Sequence, residues 1–253
     1  MYEKTTSCGE IGLILNEIFN KIIGYKRDGI FVEVGANDGK TGSFTYNLAK
    51  IGWSGIYIEP VPRIYNICVN NHKDHKNVCV LNIGCGNKKT TTVIADGDTL
   101  STMDFETYKL YKTSNWSHFY FNNGNQHIVP IEKLDTILQE KNIAENFDVL
   151  ILDVEGYEEN VLQGFSIDIF KPKIVVVEIP DQHKDFVNNK KLMEKYKRIR
   201  EYFKNNYSLL VNDIVDNVYI RNDLYKNNEN YISFCSKSVK FPQYNSSNSV
   251  LKQ

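Results

Sequence analysis

Apolar positions along the chain follow two patterns. Between residues 9 and 25, Ile11, Ile14, Leu15, Ile18, Phe19, Ile22 and Ile23 recur at spacings of three and four, which predicts an amphipathic helix with one face on a core. Downstream, five short runs are continuous rather than alternating: 30–34 (IFVEV), 55–59 (GIYIE), 78–82 (VCVLN), 147–152 (FDVLIL) and 174–179 (IVVVEI). Runs rich in β-branched residues and apolar at every position suit strands covered on both faces, as in a parallel sheet flanked by helices. Segments 43–51 (SFTYNLAKI) and 62–72 (PRIYNICVNNH) predict helices between the first three strands, with Pro62 placed for a first turn. This alternation predicts an α/β fold.

Later segments extend the pattern. EGYEENVLQGF puts Val161, Leu162 and Phe165 on one helical face with Gly164 near its end, and Asp181 to Asn206 reads as a longer, charged helical stretch. Residues 207–212 (YSLLVN) with 217–220 (NVYI) or 231–235 (YISFC) read as closing strands, with a hairpin around Asp216 and Asn217. Residues 83–146 are too many for a simple connection and are expected to form an insertion or lid. The segment 236–253 is polar and aperiodic, and is expected to be loosely held. The division expected is a helical extension over 1–28, a main domain over 29–221, and a closing strand with a polar tail over 222–253.

Composition narrows the partners. With 253 residues, 30 Lys plus Arg against 31 Asp plus Glu, the chain has a formal charge of −1, which gives no electrostatic reason to expect nucleic acid or an anionic membrane. Cys8, Cys68, Cys79, Cys85 and Cys235 are scattered, odd in number and free of any C-x-x-C pair, so neither a disulfide framework nor a zinc site is indicated. The first residues lack a basic start and a small-residue cleavage site, and no apolar stretch approaches a membrane span. The expectation is a soluble, cytoplasmic protein, in which the sequons at Asn115, Asn206 and Asn245 carry no glycan.

Candidate chemistry sits at the strand ends. The first run leads into Gly35, Ala36, Asn37, Asp38 and Gly39, and the second ends at Glu59 and Pro60. In an open parallel sheet, ligands gather at the carboxyl ends of strands near the point where strand order reverses. A dinucleotide turn needs glycines at its first, third and sixth positions, but from Gly35 the latter two are Asn37 and Lys40. That disfavours a pyrophosphate and leaves a nucleoside whose ribose hydroxyls donate to Glu59.

Four stretches, FVEVGANDG, YIEPVP, VPIEKLDTIL and DVLILDVEGYEENVLQGF followed by KPKIVVVEI, together resemble the FkbM family of S-adenosylmethionine-dependent methyltransferases over Gly29 to Ile220. The resemblance implies the class I methyltransferase fold: a Rossmann-like three-layer sandwich around a seven-stranded, mostly parallel sheet with one antiparallel strand. It also implies methyl transfer to oxygen, often on a sugar or glycan. Where Glu33 stands the family often carries Asp, which keeps the charge and shortens the side chain. The resemblance puts Asn82 and Cys85 near the adenine and matches Ser101 and Thr102 to a Ser/Thr pair near the site. The cofactor set expected is therefore Glu33, Gly35, Ala36, Asn37, Asp38, Gly39, Glu59, Pro60, Asn82, Cys85, Ser101 and Asp153.

Methyl transfer to a hydroxyl needs a base, because the protonated hydroxyl is a poor nucleophile. Asp153 ends the fourth strand beside the crevice and is the first candidate, although the same position suits a helix cap. Glu155 lies two residues on, and Glu178 ends an otherwise apolar strand where an unpartnered carboxylate is costly to bury. Asp153 with Glu178 would suit a divalent cation such as Mg²⁺. His127, with His118, is an alternative base because histidine titrates near neutrality. Tyr108, Tyr111, Trp116, Phe119 and Tyr120 would suit an acceptor wall or ordinary lid packing. Two other functions fit the same features: an RNA ribose 2′-O-methyltransferase, and a non-catalytic nucleoside-binding module.

Overall fold

The computed structural model describes residue 15, residues 22–24, residue 26, residues 28–212 and residues 214–228. Most of the helix expected over 9–25, the alternative closing strand at 231–235, the tail 236–253, Cys8, Cys235 and Asn245 lie outside the described residues.

Seven strands form the main sheet in the order β3-β2-β1-β7-β8-β10-β9. They are β1 (Ile30–Val34), β2 (Ser54–Ile58), β3 (Val78–Leu81), β7 (Val149–Leu152), β8 (Ile174–Glu178), β9 (Tyr207–Asn212) and β10 (Asp216–Arg221). Only β10 runs against its neighbours, pairing antiparallel with β8 and β9, while β1, β2, β3, β7 and β8 pair in parallel. The chain builds outward from β1 through β2 to β3, then returns to the other flank of β1 with β7. The reversal opens a crevice at the carboxyl ends of β1 and β7.

The continuous apolar runs follow from this layering. Phe31, Val149, Ile151, Ile174 and Val176 pack into one core with Trp53 and Tyr57. Their neighbours Val32, Val34, Leu150, Leu152, Val175 and Val177 pack into a core on the opposite face. Period-2 side chains with both faces covered make the central strands apolar almost throughout, Glu33 of β1 being an exception. Helices α1 (Tyr46–Lys50), α2 (Pro62–His72), α4 (Leu134–Glu140), α5 (Glu158–Gln163) and α7 (Lys190–Phe203) lie between the strands in sequence. Among the described residues no helix is long and apolar enough to cross a membrane.

Two expectations need correction, and residues 83–146, expected as an insertion or lid, form regular elements. They hold a second sheet of β4 (Gly84–Cys85), β5 (Thr90–Ala95) and β6 (Gln126–Glu132) in the order β4-β6-β5, together with α3 (Phe105–Thr113) and α4. The charged stretch from Asp181 becomes helical only at Lys190, because Asn189 caps the helix by accepting from the amides of Lys191 and Leu192. Asp216 and Asn217 do not form the hairpin turn: both are paired in β10, Asp216 opposite Glu178 and Asn217 opposite Asn212. After β10, short helices complete the described chain with α8 (Asn222–Asn227), α6 (Ile167–Phe170) having preceded β8.

Candidate active site

The ends of β1, β2 and β7 and one edge of the second sheet enclose a cavity of about 220 Å³. Its wall is Glu33, Val34, Gly35, Ala36 and Asn37, then Thr41, Gly42 and Ser43, with Ile58, Glu59 and Pro60 from β2. Gly84, Cys85 and Ile94 come from the second sheet, Asp98, Thr99, Ser101 and Met103 from the loop after it, and Asp153, Val154 and Glu155 from the end of β7. Five of these side chains are acidic, and none is Lys, Arg or His. A cavity with that lining suits a cationic ligand and repels phosphate.

The turn after β1 has left-handed backbone at Gly35, Asn37 and Gly39, with φ of 82°, 49° and 66°. Its amides are all taken. Gly35 and Ala36 donate to the Ile58 carbonyl, Asn37 to Glu59 Oε2, Asp38 to Asn37 Oδ1 and Gly39 to the Ala36 carbonyl. The backbone groups left for a ligand are therefore carbonyl oxygens, which an ammonium group can use.

Glu59 is 5% exposed and holds two backbone amides, Asn37 on Oε2 at 3.0 Å and Val61 on Oε1 at 2.8 Å. Burial pushes its carboxyl up to about 7 against those two bonds. Each oxygen takes one backbone amide and can accept a second donor, so ligand hydroxyls can still bond to it. Glu33 accepts from the hydroxyls of Ser43 and Thr45, and burial likewise raises it to about 7.

Across the cavity, carboxylate oxygens of Asp153, Glu155 and Glu178 lie within 4.8 Å of one another. Burial raises all three carboxyls, Asp153 to about 6, and Glu155 and Glu178 further because each also faces the other acids. The Glu178 carboxyl is hydrogen-bonded to Asp153, the one influence that lowers the latter. The three acids therefore share their protons and titrate as one cluster, with a hydrogen bond between Asp153 and Glu178 inside it. Glu155 stands at φ 53°, its carbonyl accepting from Thr102 Oγ1 at 2.6 Å and its carboxylate from the Tyr111 hydroxyl. The turn below is fastened by Glu158, which accepts from Val154 and Gly156 amides at 3.1 and 3.2 Å, and by Lys195, which donates to the Gly156 carbonyl at 2.9 Å.

The structure gathers Glu33, Gly35, Ala36, Asn37, Glu59, Pro60, Cys85, Ser101, Asp153 and Glu155 on one wall, and Glu178 directly behind Asp153. Other expected residues have different parts. Asp38 accepts from the amides of Lys40 and Thr41 and so shapes the turn, while Gly39 backs onto Cys68 and His72. Asn82 donates to the carbonyls of Glu59 and Pro60, which fixes the end of β2 from outside the cavity. His127 does not line the cavity. It bonds Asp96 Oδ2 at 3.1 Å beside Arg63, which grips the same carboxylate. His118 faces the Ser114 carbonyl. Tyr108, Tyr111, Trp116, Phe119 and Tyr120 do not line the cavity; Tyr111 is buried against Trp116, Phe121 and Phe186.

Ile94, Asp98, Thr99, Met103 and Lys195 were not anticipated. The polar run from Asp96 to Thr102 was a usable signal, since such loops beside sheet ends carry ligand contacts. Lys195 gave none, being one lysine in a lysine-rich helix.

The Methyltransferase FkbM domain family matches residues 33–209. A search of the curated proteins finds no match. Among solved structures, the FkbM methyltransferase of Methylobacillus flagellatus KT is similar at 15% identity and a TM-score of 0.47, covering 78% of this chain and 44% of its own. The chain thus spans less than half the length of that relative. The O-methyltransferase from Bacillus cereus, in complex with SAH, is similar at 12% identity and a TM-score of 0.48, covering 87% of this chain and 84% of its own. The fibrillarin of Aeropyrum pernix with natively bound S-adenosyl-L-methionine is similar at 11% identity and a TM-score of 0.45, covering 87% of this chain and 76% of its own.

Proposed function

The chain belongs to the FkbM methyltransferase family, with the class I methyltransferase fold, and from that premise we propose that it moves the methyl group of S-adenosylmethionine onto a sugar or glycan hydroxyl. The observation that carries this reading is that every charged side chain lining the cavity is acidic, which suits the sulfonium and ammonium charges of that cofactor and disfavours a pyrophosphate. Glu59 supplies the acceptor for the ribose hydroxyls. Glu33 and the carbonyls of the turn supply acceptors for the ammonium group, and the hydroxyls of Thr41 and Thr99 are donors for its carboxylate.

The cofactor brings the activated methyl group; the protein aligns the acceptor and takes one proton. Asp153 would take the proton of the acceptor hydroxyl as that oxygen gains the methyl group. A value of about 6 makes Asp153 ionised at neutral pH yet basic enough to assist. Glu178 orients it through their shared hydrogen bond, and Tyr111 orients Glu155. Asp153, Glu155 and Glu178 are also the residues that would hold a divalent cation such as Mg²⁺; turnover unchanged by a chelator assigns them to proton transfer alone.

Replacing Glu59 by Gln is expected to weaken S-adenosylmethionine binding by about 10- to 100-fold at pH 8, the loss of charge-assisted bonds to a buried acceptor. Because the free carboxyl stands at about 7, its ionised form, the stronger acceptor for the diol, predominates above that pH. Parent affinity therefore rises as pH climbs through 7, and the variant shows a smaller rise that belongs to Glu33. Calorimetry from pH 6 to 9 checks both, and a parent that binds no S-adenosylmethionine defeats the cofactor reading. For the acceptor, the experiment is a screen of sugars and glycans with a labelled methyl donor, with RNA as the contrasting substrate. The cavity wall offers no lysine for a phosphate backbone, which favours the sugar.

A further inference from the structure

Helix α2 runs beneath the cofactor turn and touches it twice. Asn71 Nδ2 donates to the Asp38 carbonyl at 2.8 Å, and His72 Nε2 lies 2.7 Å from the Gly39 carbonyl. A carbonyl only accepts, so Nε2 of His72 carries the hydrogen. The other nitrogen of His72 lies 2.9 Å from Nδ1 of His75. In the neutral ring that His72 nitrogen is a bare acceptor, so the hydrogen between the two rings is on His75 Nδ1. The two contacts thus form a directed chain: His75 donates to His72, and His72 donates to the turn.

His72 is 4% exposed and held from every side. Its ring lies against Tyr57 of β2 at a centroid distance of 4.2 Å and meets the edge of Tyr46 of α1 at 5.7 Å. The charged and titratable groups facing the pair are Asp38 on the turn, Lys50 on α1, Cys68 on α2 and Asp74 just beyond it. Burial holds both histidines below their ordinary value, in keeping with two neutral rings. Gly39 has φ 66° and no room for a side chain, since an added Cβ would lie 2.6 Å from both Cys68 Sγ and His72 Nε2. The turn is therefore seated on the histidine as well as bonded to it.

Resting on the cofactor reading above, we infer that His72, oriented by a hydrogen bond from His75, is a positioning residue that holds the 37–39 turn in the shape S-adenosylmethionine binds. It touches no reacting atom. It acts because Asn37 on this turn is the residue whose amide bonds Glu59, so the turn and the ribose acceptor move together.

The test uses the full chain with His72→Leu, His72→Gln and the partly exposed His75→Ala. Calorimetry with S-adenosylmethionine is expected to show about tenfold weaker binding for His72→Leu, because a buried carbonyl loses its donor. His72→Gln, whose amide can donate in place of Nε2, recovers most of it, and His75→Ala lies between. Nitrogen-15 NMR of the parent is expected to show His72 as the Nε2–H tautomer and His75 as the Nδ1–H tautomer, a signature that mere packing does not demand. Parent-like binding by both His72→Leu and His75→Ala, or the opposite tautomers, overturns the inference while the cofactor reading stands. A parent that binds no S-adenosylmethionine overturns both.

Discussion

Asp153→Asn is expected to lower kcat by about 10²- to 10⁴-fold, the usual contribution of a positioned base. Cofactor affinity should fall far less than kcat, because Asn keeps the size of Asp and four other acids, Glu33, Glu59, Asp98 and Glu155, still line the cavity. What the amide cannot do is accept a proton. In the parent, kcat should rise with pH through about 6 as Asp153 ionises and then level off; the sign follows because the working form is the deprotonated one. The variant's residual rate should lack that limb. Stopped-assay kinetics with saturating donor and any acceptor found in the screen measure both, and a variant with parental kcat moves the base elsewhere in the acid cluster.

Gly35→Ala is expected to cost about 4 kcal/mol or more, a fall in Tm of roughly 10 °C for a chain of this size. Two effects coincide there. The φ of 82° is left-handed, and a Cβ built on this backbone would stand 1.6 Å from the carbonyl oxygen of Asp153. That carbonyl belongs to the main chain of the residue assigned as base, so it cannot yield without moving β7 from β1. Gly42→Ala is the internal comparison. It has a similar φ of 78°, but an added Cβ would meet nothing within 4 Å, so only the conformational penalty of about 1–2 kcal/mol applies. Thermal denaturation of the two variants separates backbone preference from steric exclusion, and equal losses would show that the contact with Asp153 does not matter.

These two positions illustrate what was legible in the sequence. Strands β1, β2, β7 and β8 could be read because burial on both faces leaves each an unbroken apolar run, and the acids that end those runs therefore stand out: Glu33, Glu59, Asp153 and Glu178. The second sheet could not be read. In β5, TTTVIA is mostly exposed or partly exposed, and β6 contains Pro130, which ordinarily argues against a paired strand. Here β4 reaches only Ile131 and Glu132, so Pro130 has no β4 partner to lose. With that sheet hidden, the contributions of Ile94 and of the loop carrying Asp98 to the cavity were hidden too. The surroundings of His127 were hidden for a related reason: its partner Asp96 is 31 residues distant, and only the fold brings the two together.

The charge of the wall has a consequence for turnover. Methyl transfer extinguishes the sulfonium charge, so the spent donor leaves the enzyme with one positive centre fewer than the fresh one brought. A wall of carboxylates attracts the fresh donor more than its by-product, and the reaction itself loosens the grip on what must depart. Product inhibition should accordingly be mild, and the ratio of the two dissociation constants should shrink as added salt screens the wall; a by-product that binds more tightly at every ionic strength would contradict this.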